Sequence, residues 1–221
     1  MIVSDKYKFI FIRIPKTATM SIESALLSAD PKCRILPETD YLNPPYGHYT
    51  DSEIKNKIGE DKWNSYFKFA CFRNPIDRSI SMHLDMAEYT FYDVTWLNWI
   101  FSNGYQLSHD FKSSGTIQCD ELIKSHTIAR DWFNPKEVVL QHDWISLNEM
   151  DYIIDFSDLK SEWEYIQSKL GFNSPLHHSN RTTTKTKFNI SLDEKSTKLV
   201  ELLYKEDFDF YKQLKQQKKD K

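Results

Sequence analysis

The sequence predicts an α/β fold with a central parallel β-sheet flanked by helices. Two observations carry that prediction. The runs Tyr7–Ile14 (YKFIFIRI) and Phe67–Phe72 (FKFACF) are nearly continuous in aromatic and β-branched residues, as strands buried on both faces require. A proline soon follows each run, and then apolar residues at helical spacing, so strands alternate with helices. No repeat or linker interrupts the 221 residues, and a single domain, 1–221, is expected.

The elements follow in order. Pro15 stops the first strand, and Thr19 or Ser21 caps a helix through Ile22, Ala25 and Leu26. A short strand is expected near Cys33–Leu36, and Pro37–Thr50, with Pro44-Pro45, reads as loop. Asp51 caps a helix through Ile54 and Ile58 that ends at Gly59. After the second strand, a helix runs from Asp77 through Ile80, Leu84 and Ala87, and another covers Thr95–Phe101. Ser102–Thr116 has no assignable pattern. Val138–Leu140 and Tyr152–Phe156 read as short strands, and Ser161–Leu170 as a helix stopped by Gly171. Ser174–Phe188 reads as loop. Leu192–Leu214 is the longest amphipathic helix, followed by a frayed charged tail, Lys215–Lys221.

Composition narrows the chemistry. Only 5 glycines are present, and none frames a G-x-G-x-x-G turn or a G-x-x-x-x-G-K-[ST] loop, so any phosphate loop is built without glycine. A formal charge of −3 is not the basic balance of a dedicated nucleic-acid binder. Three dispersed cysteines form no C-x-x-C and suit a reducing compartment. The first residues lack a signal peptide's long apolar core, and no stretch approaches the roughly 20 apolar residues of a membrane span. A cytoplasmic protein without membrane or nucleic-acid partners is expected. Oligomeric state has no readable signal.

Two segments can carry chemistry. Ile14-Pro15-Lys16-Thr17-Ala18-Thr19-Met20-Ser21 takes a buried strand into a helix, which presents backbone N–H groups at the positive end of the helix dipole. Lys16 adds an ammonium, and Thr17, Thr19 and Ser21 add hydroxyls. Taken alone, the segment reads first as a capped helix beside a solvated lysine, since such caps are very common. In Arg73-Asn74-Pro75-Ile76-Asp77-Arg78-Ser79-Ile80-Ser81 a strand again ends in a cation, and Arg73 can fork onto a phosphate while Ser81 donates from the helix. Alone, Arg73 is equally a surface partner for Asp77.

Together these segments resemble the two cofactor loops of the sulfotransferases that use 3′-phosphoadenosine 5′-phosphosulfate: I-P-K-T-x-x-x-S at residues 14–21 and R-N-P-x-x-R-x-x-S at residues 73–81. The chain is similar to the carbohydrate-type sulfotransferases often called family 2, in a short soluble form. Asp155-Phe-Ser-Asp-Leu159, Leu176-His-His-Ser-Asn180 and Tyr204-Lys-Glu-Asp-Phe208 have family-like counterparts. The departure is Ala18-Thr19, where many relatives carry two glycines. The resemblance implies a P-loop-like three-layer sandwich. It also implies that Lys16, Thr17, Ala18, Thr19, Met20 and Ser21 hold the 5′-phosphosulfate and that Arg73 and Ser81 hold the 3′-phosphate. Arg181 and Lys185 are expected to add a phosphate contact from a third loop that includes His178 and Asn180.

Sulfuryl transfer needs in-line positioning and neutralisation of the leaving phosphate, for which Lys16 is placed, and no metal is required. The expected acceptor is a hydroxyl of a glycan or small metabolite. His48, with an ordinary pKa near 6.5, is the expected general base; Asp85 and Glu88 are alternatives, and His48 is equally a packed loop histidine. Two other readings remain: a P-loop-like nucleotide phosphotransferase, which needs a Gly-Lys-Ser/Thr loop and an acidic Mg²⁺ ligand after a strand, and a non-catalytic nucleotide or anion sensor. The tryptophans, among them Trp96 and Trp99, read as core rather than as sugar-stacking platforms.

Overall fold

The computed structural model describes residues 1–35, 48–92, 116–117, 140–176 and 191–219, with backbone alone for 35, 85–92 and 116–117. Five strands form the main sheet: β1 (Ile2–Ser4), β2 (Phe9–Ile12), β3 (Arg34–Ile35), β4 (Phe67–Phe72) and β6 (Tyr152–Asp155), in the spatial order β3-β1-β2-β4-β6. A separate pair joins β5 (Thr116–Ile117) to β7 (Ser191–Leu192) in parallel. Among the described residues the α-helices are α1 (Thr19–Ala29), α2 (Asp51–Ile58), α3 (Glu60–Ser65), α4 (Pro75–Tyr92), α5 (Leu159–Leu170), α6 (Glu194–Leu203) and α7 (Lys205–Lys219).

The expected α/β class and sheet are present, with the site-bearing strands β2, β4 and β6 parallel. The sheet is mixed rather than wholly parallel, because β1 runs antiparallel to both β2 and β3. A tight turn makes that hairpin: the Tyr7 N–H donates to Ser4 Oγ and Lys8 takes a left-handed φ of 55°.

Alternation along the strands builds the two faces. Phe9, Phe11, Phe69, Cys71 and Ile154 pack on Ile22, Ala25 and Leu26 of α1 and on Trp163 and Ile166 of α5. Ile10, Ile12 and Ala70 pack on Ile54 of α2, Trp63 of α3 and Trp144. The result is three layers, with Trp63, Trp144 and Trp163 inside. Trp96, Trp99 and Trp132 lie outside the described residues, as does the helix expected over Thr95–Phe101.

Three local expectations differ. Thr50, not Asp51, caps α2, in a capping box with Glu53; Gly59 ends the helix as expected. The long C-terminal helix breaks at Tyr204, whose ring is buried with Ile80, Leu84 and Val200 between α4 and α6. The expected frayed tail is instead helical to Lys219, because Lys215 pairs with Asp155 and Lys218 with Glu162.

The connections position the site. From β2 the chain crosses one face through α1 to β3; it then covers the other face through α2 and α3 before entering β4, beside β2. Strand order therefore reverses between β2 and β4. Crevices at such carboxyl ends are where open α/β sheets bind ligands.

Candidate active site

Both sequence segments start at that crevice, at the ends of neighbouring parallel strands. Phe11 lies opposite Phe69 and Ile12 opposite Ala70, so the Lys16 loop and Arg73 emerge side by side.

The first loop is shaped without glycine. Lys16 (φ 67°) and Ala18 (φ 62°, ψ 20°) both take positive φ, and Ala18 is the N-cap of α1. Successive N–H groups around such left-handed residues form a concavity suited to an anion. No side chain caps the helix, which leaves its N-terminal N–H dipole without that neutralisation. Two of the hydroxyls expected to cap the helix or donate to a ligand are used otherwise. Thr17 Oγ1 and Thr19 Oγ1 both donate to the Ile14 carbonyl, at 2.9 and 2.8 Å, and so hold the loop's shape. Thr17 and Thr19 are buried, Lys16, Ala18 and Ser21 half-buried, and Met20 exposed.

The second segment grips the first. Arg78 Nε donates to the Pro15 carbonyl at 3.1 Å, and Arg73 Nη1 donates to the Lys16 carbonyl at 3.2 Å. In a trans peptide the N–H points opposite its C=O. Turning these two carbonyls toward the arginines therefore turns the Lys16 and Thr17 N–H groups to the loop's other side.

Arg73 is 7% exposed and lies 4.2 Å from the centre of the Phe156 ring. Among the described residues its buried Nε has no hydrogen-bond partner and no carboxylate forms an ion pair with it, so it is not the surface partner of Asp77. Burial pulls its pKa below the usual arginine range, and the nearby charge of Asp77 raises it. A buried guanidinium of this kind gains most from a bound anion. Ser81, on α4, is also buried.

His48 sits on the other side of β2's end. Its Nδ1 is 2.8 Å from the Arg13 carbonyl, and its ring meets Trp144 edge-on at 5.9 Å. A carbonyl only accepts, so Nδ1 carries the hydrogen and Nε2 is the basic nitrogen. Burial, with the Arg13 charge, depresses its pKa to about 3 rather than the ordinary value expected from sequence.

Sequence reading missed Asp155, which stands at the carboxyl end of β6 and is fully buried. It is an acid after a strand, but Lys215 Nζ is 2.6 Å away, Tyr211 donates to it at 3.2 Å, and it caps the Ser157 N–H. Gln141, Phe156 and Asp207 were also missed as parts of the site; the family-like segments Asp155–Leu159, which contains Asp155 and Phe156, and Tyr204–Phe208, which contains Asp207, carried the signal. Arg181, Lys185, His178 and Asn180 lie outside the described residues, as do the side chains of Asp85 and Glu88.

Adjacent strand ends, a helix start without a side-chain cap and a buried arginine with no counter-ion among the described residues give an α/β protein whose crevice gathers groups of the kind that suit an anion. The model of the Sulfotransferase family matches residues 1–212, and the chain belongs to that family. No curated protein and no solved structure matches it. Sulfotransfer is thus its class of activity, and no helix among the described residues is long and apolar enough to cross a membrane.

Proposed function

We propose that one domain, residues 1–221, transfers a sulfuryl group from 3′-phosphoadenosine 5′-phosphosulfate to a hydroxyl of a glycan or small metabolite in the cytoplasm. The observation that carries this reading is Arg73: a buried cation with an unpartnered Nε, set against the Lys16 loop of the adjacent strand. Anion-seeking groups at two neighbouring points fit a donor that is charged at both its 5′ and 3′ positions. When bound, that donor supplies a sulfuryl group already activated by its link to a phosphate.

The chain's own residues then have separate tasks. Lys16, Thr17, Ala18, Thr19, Met20 and Ser21 hold the phosphosulfate at the start of α1, with main-chain N–H groups as the principal donors and Lys16 neutralising the leaving phosphate. Thr17 and Thr19 contribute by shaping the loop. Arg73 and Ser81 hold the 3′-phosphate; Arg181 and Lys185 add a further contact. His48 takes the acceptor's proton at Nε2, with Asp85 and Glu88 as the alternatives. The transferred group carries less charge than a phosphoryl group, so the reading needs no metal.

A phosphotransferase would call on Asp155 to hold Mg²⁺, and Lys215 and Tyr211 already engage that carboxylate. Calorimetry separates the readings. 3′-Phosphoadenosine 5′-phosphate is expected to bind more tightly than adenosine 5′-phosphate or ATP, with or without Mg²⁺. A preference for ATP that depends on Mg²⁺ overturns the proposal. Tight binding of the bisphosphate without turnover of the phosphosulfate, across hydroxyl acceptors, would make the protein a sensor.

A further inference from the structure

Arg73 follows directly on β4, where the ladder to β6 ends at the Phe72–Asp155 pair. Its main chain therefore has no strand partner. Gln141 supplies one. The Arg73 N–H donates to Gln141 Oε1 at 2.9 Å, and Gln141 Nε2 donates to the Arg73 carbonyl at 2.8 Å. A primary amide has the donor and acceptor of a peptide group, so this side chain extends the ladder by one rung.

Gln141 is fully buried and is itself held from α7. Its N–H donates to Asp207 Oδ2 at 2.8 Å; the His142 N–H and Nδ1 approach Asp207 Oδ1 at 3.1 and 2.9 Å. Asp207 is fully buried as well.

We propose that Gln141 and Asp207 are positioning residues for the 3′-phosphate site, fixing the Arg73 main chain so that its guanidinium is aimed before ligand arrives. This rests on Arg73 being the 3′-phosphate ligand. Among the described residues the guanidinium makes one hydrogen bond of its own, to Lys16 O at 3.2 Å, and lies against the Phe156 ring. Both contacts are made from the end of a long side chain, so its aim also depends on where the main chain places Cβ. Asp207 acts through Gln141 and His142, across 66 and 65 residues of sequence.

The test is calorimetry on the full chain with 3′-phosphoadenosine 5′-phosphate and adenosine 5′-phosphate. Gln141→Met keeps the side-chain length and removes both bonds. By analogy with outer-shell partners of other ligating groups, it should weaken the bisphosphate about tenfold and change the monophosphate less than about twofold. Combined with Arg73→Ala, it should cost no further selectivity beyond Arg73→Ala alone, because the two act as a unit. If Gln141→Met does not fold, Asp207→Asn reads the same ratio. A folded variant that keeps the wild-type selectivity, loses both nucleotides equally or adds to Arg73→Ala overturns the positioning role. Failure of the underlying reading looks different: the wild type itself would not prefer the bisphosphate.

Discussion

Ala18 holds a backbone conformation that costs an L-residue roughly 1–2 kcal/mol where glycine would pay little. The Thr17 and Thr19 bonds to Ile14 O hold the loop in that shape. Ala18→Gly should therefore stabilise the fold by about 0.5–1 kcal/mol, the relief of strain being partly offset by a more flexible unfolded chain. Denaturant midpoints measure this, and a destabilised variant would contradict the strain. At His48 the depressed pKa bears on stability and, in its proposed role as base, on activity. With Nε2 as the base, kcat/KM should show no acid limb near pH 6.5, since the free enzyme's His48 is already neutral there. An acid limb centred at 6.5 would assign the proton to another group, as would turnover retained in His48→Ala. Because the folded pKa lies below the unfolded one, the unfolded chain binds this proton first. The contribution to stability is whole above pH 6.5 and is lost as pH falls toward about 3, by about 1.4 kcal/mol per unit.

At the scale of elements, α7 is tied to the sheet by buried charge. Burial pushes the Asp155 carboxyl up, but hydrogen bonds from Lys215 and Ser157 bring it net below the usual carboxylate range. Lys215→Met would leave that buried carboxylate with Tyr211 and Ser157 alone. A loss of about 2 kcal/mol is expected, less than for a fully buried pair because Lys215 reaches solvent. Chemical denaturation checks it; a loss under about 0.5 kcal/mol would make the pair a surface contact. The sequence shows why this tether is hard to foresee. Lys215 and Lys218 look like a solvated helix end, and only the fold brings them to Asp155 and Glu162. Likewise, the break at Tyr204 depends on the pocket formed by Ile80, Leu84 and Val200, not on a local helix stop.

Across the whole molecule, what could be read in advance was what lies contiguous in sequence. The two strand-to-helix segments announced themselves by apolar runs ending in Pro15 and Pro75 with cations beside them, and the sheet sets them side by side. The short antiparallel β1 gave too few residues for a pattern. Gln141 is a lone glutamine until Arg73 and Asp207, each more than 60 residues away, close on it. His48 was visible as a histidine, but its pKa is a property of burial beside Arg13. The glycine-free loop has one more consequence. A glycine-rich loop samples many shapes and must be ordered each time a ligand binds. Here the alanine, the threonine bonds to Ile14 O and the two arginine grips limit that freedom in advance, so ordering of the cradle is completed as the chain folds and little conformational entropy remains to be lost on encounter.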